Sequence, residues 1–193
     1  MSFDEIKALV LMSVVEPGKA GRQLLSLRPP NNAVWTAMGL LAVLNGILYG
    51  LLFAPVDVLP PMLRSPFALA ALIGFAMVGM TVIMTQAGRM LGGTARLADM
   101  ALVVVWLQAL RLAAQLAVSA ISLLIPMLGG LLGMAAGFWG LFVLGGFLAA
   151  AHGFTGWGKP AALMLMTGLL LAFLLSFVLA AFGVAPATVE GAL

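Results

Sequence analysis

Cysteine is absent from the chain, and histidine occurs once, as His152. The first absence excludes disulfides, thiolate nucleophiles and cysteine-based metal sites, and the second excludes a histidine-rich metal centre. Charge is scarce too. Asp, Glu, Lys and Arg together make 8% of the residues, against about 25% in soluble domains. So little charge cannot cover a surface that faces water all round, and the chain reads as a single-domain integral membrane protein. The nine Lys and Arg residues give a formal net charge of +3, but they are dispersed and not interleaved with aromatics, which argues against nucleic-acid binding. Acids are rarer still, and none falls near the centre of an apolar run. Paired carboxylates, or a nucleophile beside a base, are what an enzyme within the membrane requires. The expectation is therefore a non-enzymatic protein with no catalytic residue, no cofactor and no metal site.

What the chain has is apolar length: 64% of it is hydrophobic. At 1.5 Å per residue a run of about 20 residues crosses the roughly 30 Å hydrocarbon core. Five runs qualify, at residues 33–53, 66–88, 99–125, 131–151 and 161–183. Breakers separate them. Pro29-Pro30-Asn31-Asn32 precedes the first, and Pro55, Pro60, Pro61 and Pro66 follow it. Two arginines and Asp99 lie in the turn after the second, Pro126 with Gly129-Gly130 ends the third, and HGFTGWGKP ends the fourth. The expected architecture is all-α. Residues 1–30 form a cytoplasmic amphipathic lead, 31–185 a five-helix transmembrane domain, and 186–193 a short external tail.

The lead starts with Asp4 and Glu5 and passes Val15-Glu16-Pro17. A signal peptide starts basic and ends at small residues, so this segment is expected to be retained. Its apolar part, 8–15, is too short to span. It lies either on the bilayer, with Lys7, Lys19, Arg22 and Arg28 among anionic lipid head groups, or on the end of the helix bundle. Apolar residues cover most of its circumference, so periodicity does not decide between the two.

Orientation follows from the basic residues. Lys7, Lys19, Arg22, Arg28, Arg89, Arg96 and Lys159 all fall on the N-terminal side, leaving Arg64 on the other and Arg111 within the membrane. The positive-inside rule then makes the N-terminus cytoplasmic and the C-terminus external.

Two features inside the spans stand out. Gln108, Arg111, Gln115, Ser119 and Ser122 lie within about 80° of one another at 100° per residue, on an otherwise apolar helix. Centring Arg in a membrane helix costs about 2.5–3.5 kcal/mol on insertion scales, so the stripe is expected to turn inward, toward Asn45 of the first span. There it either fixes helix order by hydrogen bonds or lines a route for an anion; the first reading needs no substrate, since five donors and several amides satisfy one another. In the fourth span Gly129, Gly133 and Gly137 recur every four residues, with Gly140 following. Small residues at that spacing let helices approach closely. The partner is either the first span, through Gly46 and Gly50, or a second copy of the chain.

The lead VVEPGKAGRQLLSLRPP, the five close-set spans, the MLGGTARLADM turn and the HGFTGWGKPAAL connector together resemble the Yip family of Ypt/Rab-interacting membrane proteins, in its bacterial form. That resemblance covers nearly the whole chain and implies a five-span fold. Eukaryotic members bind prenylated small GTPases and act in vesicle traffic, with a longer cytosolic N-terminal region and an acidic tyrosine-glycine motif. This chain has neither, which argues against a small GTPase partner. The expected role is a scaffold or organiser that binds membrane lipids and other membrane proteins, or a second copy of itself; the alternative is a small transporter or channel using the Arg111 stripe.

Overall fold

A computed structural model describes residues 2–49 and 65–181. Among them there are seven helices and no strand: α1 (Phe3–Val15), α2 (Pro17–Ser26), α3 (Asn31–Leu48), α4 (Pro66–Met90), α5 (Leu97–Leu124), α6 (Pro126–His152) and α7 (Gly158–Ala181). The last five are long and apolar enough to cross a membrane. The expected all-α, five-span architecture with a short helix ahead of it is what the chain forms.

Local chemistry explains the boundaries. Ser2 and Glu5 cap α1 reciprocally: the Glu5 N–H donates to Ser2 Oγ at 3.3 Å and the Ser2 N–H to Glu5 Oε2 at 2.7 Å, satisfying two of the donors a helix start leaves free. Glu16 then closes α1 and opens α2, with Pro17 at the first position of the new helix. Pro66 and Pro126 open α4 and α6 in the same way. Proline suits this position because its fixed φ is helical and its missing N–H would have no partner there. At the other end of α6, Gly153 adopts φ +69 and the Phe154 N–H returns to the Ala149 carbonyl at 3.0 Å. That left-handed cap favours glycine, which has no Cβ to strain.

The third and fourth spans are joined more tightly than expected. Gly129 and Gly130 do not form the connection; both lie within α6, and Ile125 alone separates α5 from α6. Pro126 needs no N–H there, so the chain reverses in one residue. Gly129, seated against Ser122 of α5, serves close approach and not chain reversal.

α4 and α5 lie at the centre of the bundle. α3 packs against both, α7 lies against α4, α6 lies against α5, and α2 lies across α6 and the start of α5. The core runs through Met38, Met77, Met84, Met100, Val103, Phe147, Leu148 and Leu163. It is concentrated at one end, where Arg89, Arg96 and Lys159 also lie, called here the basic end. The buried residues of α5, for example, are Met100, Ala101, Val103 and Val104, all in its first two turns. Toward the far end, α5 and α6 expose Leu116, Leu123, Met127, Met134, Phe138 and Trp139. Residues 50–53, Arg64, Asp57, Gly50 and the tail 186–193 lie outside the described residues.

Candidate functional site

Asn45 and Arg111 each stand fourteen positions beyond the first residue of their helix, about 21 Å along it at 1.5 Å per residue. α3 and α5 run parallel, side by side from the basic end, so this shared register places the two side chains level. Arg111 Nη2 donates to Asn45 Oδ1 at 2.9 Å, Nε to Gln108 Oε1 at 3.2 Å, and Nη1 to Gln115 Oε1 at 3.4 Å. Asn45 is fully buried, and its own amide donates to the Leu41 carbonyl at 2.8 Å. Both functions of the asparagine side chain are thus occupied, one along its helix and one across to α5. The three acceptors of the guanidinium are all neutral amide oxygens, and no salt bridge to Arg111 occurs among the described residues.

The stripe does not act as one unit. Gln108, Arg111 and Gln115 gather around Asn45, whereas Ser119 and Ser122 lie apart from this cluster. Ser122 Oγ donates to the Val118 carbonyl at 2.9 Å, and its side chain abuts Gly129 so closely that a Cβ there would collide with it. Nor is the stripe enclosed: Arg111 is exposed. The reason is the level at which it sits. The buried residues of α5 are confined to Met100, Ala101, Val103 and Val104, so Arg111 lies beyond the closely packed part of its helix.

The glycine series divides similarly. Gly129 meets Ser122, and Gly133 has Val118 at 3.8 Å from its ideal Cβ, so both face α5 and not the first span. Gly46 instead packs on α4, where a Cβ would lie 2.7 Å from Ala70 and from the Pro66 carbonyl. Gly137 and Gly140 have nothing within 4 Å.

The lead segment packs on the bundle and also keeps an apolar face outward. Leu9, Ser13, Ala20 and Leu24 are buried, while Phe3, Leu11 and Val15 are exposed. Two indole N–H groups hold its end. Trp106 Nε1 donates to Ser13 Oγ at 3.0 Å, and Trp139 Nε1 donates to the Val14 carbonyl at 2.9 Å. α2 then docks on α6 through small residues: a Cβ at Gly21 would lie 2.8 Å from that of Ala150, and one at Gly146 would lie 2.6 Å from Pro17 Cγ. Of the four cations of the lead, Lys19 and Arg22 line a groove of about 430 Å³ against α6. Arg28 lines a smaller one, about 120 Å³, beside Asn31, Arg96 and Asp99. Lys7 lines neither and sits exposed on α1.

His152, the single histidine of the chain, is buried at the basic end. Its ring stacks on Phe154 at 5.1 Å and fits against Gly88 and Gly93, where any Cβ would clash with the imidazole. Its backbone carbonyl accepts from the Thr94 N–H at 3.2 Å, tying the α4–α5 turn to the end of α6. Lys159 Nζ lies 5.6 Å from the Phe154 ring centroid, on the outer side of this cluster. In the same turn Arg89 Nε donates to the Ala95 carbonyl at 3.1 Å, and the Asp99 carboxylate accepts two guanidinium bonds from Arg96 at 3.0 and 3.1 Å. This pairing holds the exposed Arg96 guanidinium above its ordinary pKa, chiefly through the hydrogen bonds and then through charge. The signal for the cluster is in the sequence, as Gly88, Gly93 and His152, but only the fold shows that the two glycines make room for the ring.

Among the described residues no three His, Asp or Glu side chains are grouped to hold a metal ion. No curated protein and no solved structure matches the chain. The model of the Yip1 domain, by contrast, matches residues 12–186. That stretch takes in the last turn of α1, α2, all five spans and every member of the Arg111 cluster, so the chain belongs to the Yip1 domain family of membrane proteins.

Proposed function

We propose that this protein is a non-enzymatic organiser of the bacterial inner membrane, binding other membrane proteins and lipids, with its basic end in the cytoplasm. The observation that carries the reading is the far half of the α5–α6 hairpin. It leaves Met134, Phe138 and Trp139 exposed, and beside them Gly137 and Gly140 stand open. An apolar helix face set with unfilled glycines fits another transmembrane helix at close range, because backbone approach and van der Waals contact drive association in lipid. The gathering of Lys19, Arg22, Arg89, Arg96 and Lys159 at one end supports the cytoplasmic assignment.

The test is photocrosslinking in intact membranes from a probe placed at Met134 or Phe138, with buried Met77 as the control position. Crosslinks to a second copy or to another membrane protein are expected from the first two positions only. Labelling by lipid alone from every position would remove the protein-binding part of the proposal.

One observation favours a second reading, conduction of an anion along the stripe. Arg111 is exposed, and no described acid pairs with it. In liposomes, anion flux that disappears in Arg111→Leu would support transport; flux equal to that of empty liposomes would exclude it.

A further inference from the structure

The larger groove lies between the start of α2, the last turns of α6 and the connection to α7. Its floor is Gly145, Gly146 and Ala149, and its aromatic wall is Phe142 and Trp157, whose rings stack with centroids 5.3 Å apart. The walls lie close to α6 for a reason. Gly145 and Gly146 are buried beneath the Trp157 ring and Pro17, where a Cβ on either would collide, so only glycine lets the indole and the start of α2 close down on α6 and form the walls of the groove.

Lys19 and Arg22 stand at the rim. Lys19 Nζ is paired with Glu16 Oε1 at 2.9 Å, which leaves one uncompensated positive charge, on Arg22. The Arg22 guanidinium folds back along α2 toward the groove. An ideal Cβ at Gly18 would have Arg22 Nη1 3.8 Å away on one side and the Gly146 carbonyl 4.0 Å away on the other. A planar fork of donors in that position matches two oxygens of a phosphate.

The opposite end of the groove is apolar and does not stop at its edge. From Phe142, ring contact continues to Trp139 at 5.2 Å, and beyond it Phe138 and Met134 lie exposed along the same helix toward the far end. A ligand that uses both ends carries an anionic head and a long hydrocarbon tail. Free phosphate leaves the apolar track empty, and a zwitterionic head leaves the charge of Arg22 only partly answered.

We infer that this groove binds one anionic glycerophospholipid, with Arg22 on the phosphate and an acyl chain running along α6 past Phe142 and Trp139. The inference rests on the reading that the protein organises lipid. It narrows that reading to one site and one class of head group.

Native mass spectrometry of the full chain, released from detergent with added lipid, tests it. Phosphatidylglycerol is expected to remain bound at a single site about tenfold more tightly than phosphatidylethanolamine, and millimolar inorganic phosphate is expected not to displace it. Arg22→Gln should reduce phosphatidylglycerol retention about tenfold, since a charged hydrogen bond is removed from an otherwise intact surface. Arg28→Gln, beside the smaller groove, should leave it unchanged. Equal retention of the two lipids by the unaltered protein would overturn the site, and that measurement needs no variant to fold. Strong phosphatidylglycerol binding that ignores Arg22→Gln would overturn the groove assignment and leave the wider lipid reading standing. Absence of any retained lipid would overturn both. Displacement by inorganic phosphate would assign the rim to the free anion instead.

Discussion

The guanidinium of Arg111 and the side-chain carbonyl of Asn45 meet at 2.9 Å between two parallel helices, each fourteen residues from its start. The bond reports register: a slip of one residue in either helix turns one partner away by about 100°. Removing either group should therefore weaken the α3–α5 contact. Within a membrane protein such pairs average about 0.6 kcal/mol and reach about 1.7. A double-mutant cycle of Asn45→Leu and Arg111→Leu, followed by unfolding in one detergent, should give a coupling in that range. A coupling of zero would mean the pair is incidental. Arg111→Lys should recover only part of it, because a point-like ammonium cannot reach Asn45, Gln108 and Gln115 in three directions at once.

Docking of α2 should depend on Gly21. Leucine there would need the space of Ala150 and Phe147, which lie 2.8 and 3.4 Å from the ideal Cβ. Overpacking of this kind costs about 1–3 kcal/mol. Gly21→Leu is expected to lower thermal stability accordingly and to open the peptide bonds around Pro17 to protease. Gly140→Leu, with open space around it, should change the stability of the monomer by less than about 0.5 kcal/mol. If both variants melt alike, α2 is not held by this contact.

The His152 cradle predicts a compensating pair. Gly93→Ala drives a methyl group into the imidazole and should destabilise by about 1–3 kcal/mol. His152→Ala alone leaves a cavity at the same place. Combined, the two changes relieve one another, so the double variant should be more stable than Gly93→Ala. A double variant whose loss is the sum of the single losses would show that ring and glycine do not share this space.

Much of this was legible in the sequence, and the part that was not has a common cause. The spans can be read because hydrocarbon demands apolar length, and because prolines such as Pro66 and Pro126 interrupt it for reasons local to proline. Asn45 and Arg111 are identifiable as groups that need partners. That they could face each other is legible too; that Arg111 reaches Asn45 at the same level is not, since it depends on where two separate helices begin. Gly129-Gly130 looks like a turn in sequence and is part of a helix, because close approach and chain reversal select the same residue. α1 gives no periodic signal, since its apolar residues surround it, so its attachment through Trp106 and Trp139 emerges only from the fold. The role of His152 depends on glycines about 60 residues away, a distance that no local pattern spans.

Orientation can be checked directly, because the chain contains no cysteine. Single cysteines replacing Ser26 or Thr155, both exposed at the basic end, should react with an impermeant maleimide only after the membrane is opened. Cysteine at Ser65, exposed at the start of α4, should react in intact cells or spheroplasts. The reverse pattern would invert the proposed topology.

The one-residue link at Ile125 bears on how the protein is assembled. Closing a short connection loses little chain entropy, and contacts near in sequence form soonest. α5 and α6 are therefore expected to pair as a preformed hairpin, with Gly129 seated on Ser122 before α3 and α4 have settled. The register of α3 against that hairpin is then decided late, and Asn45 finding Arg111 becomes the proofreading step of the fold.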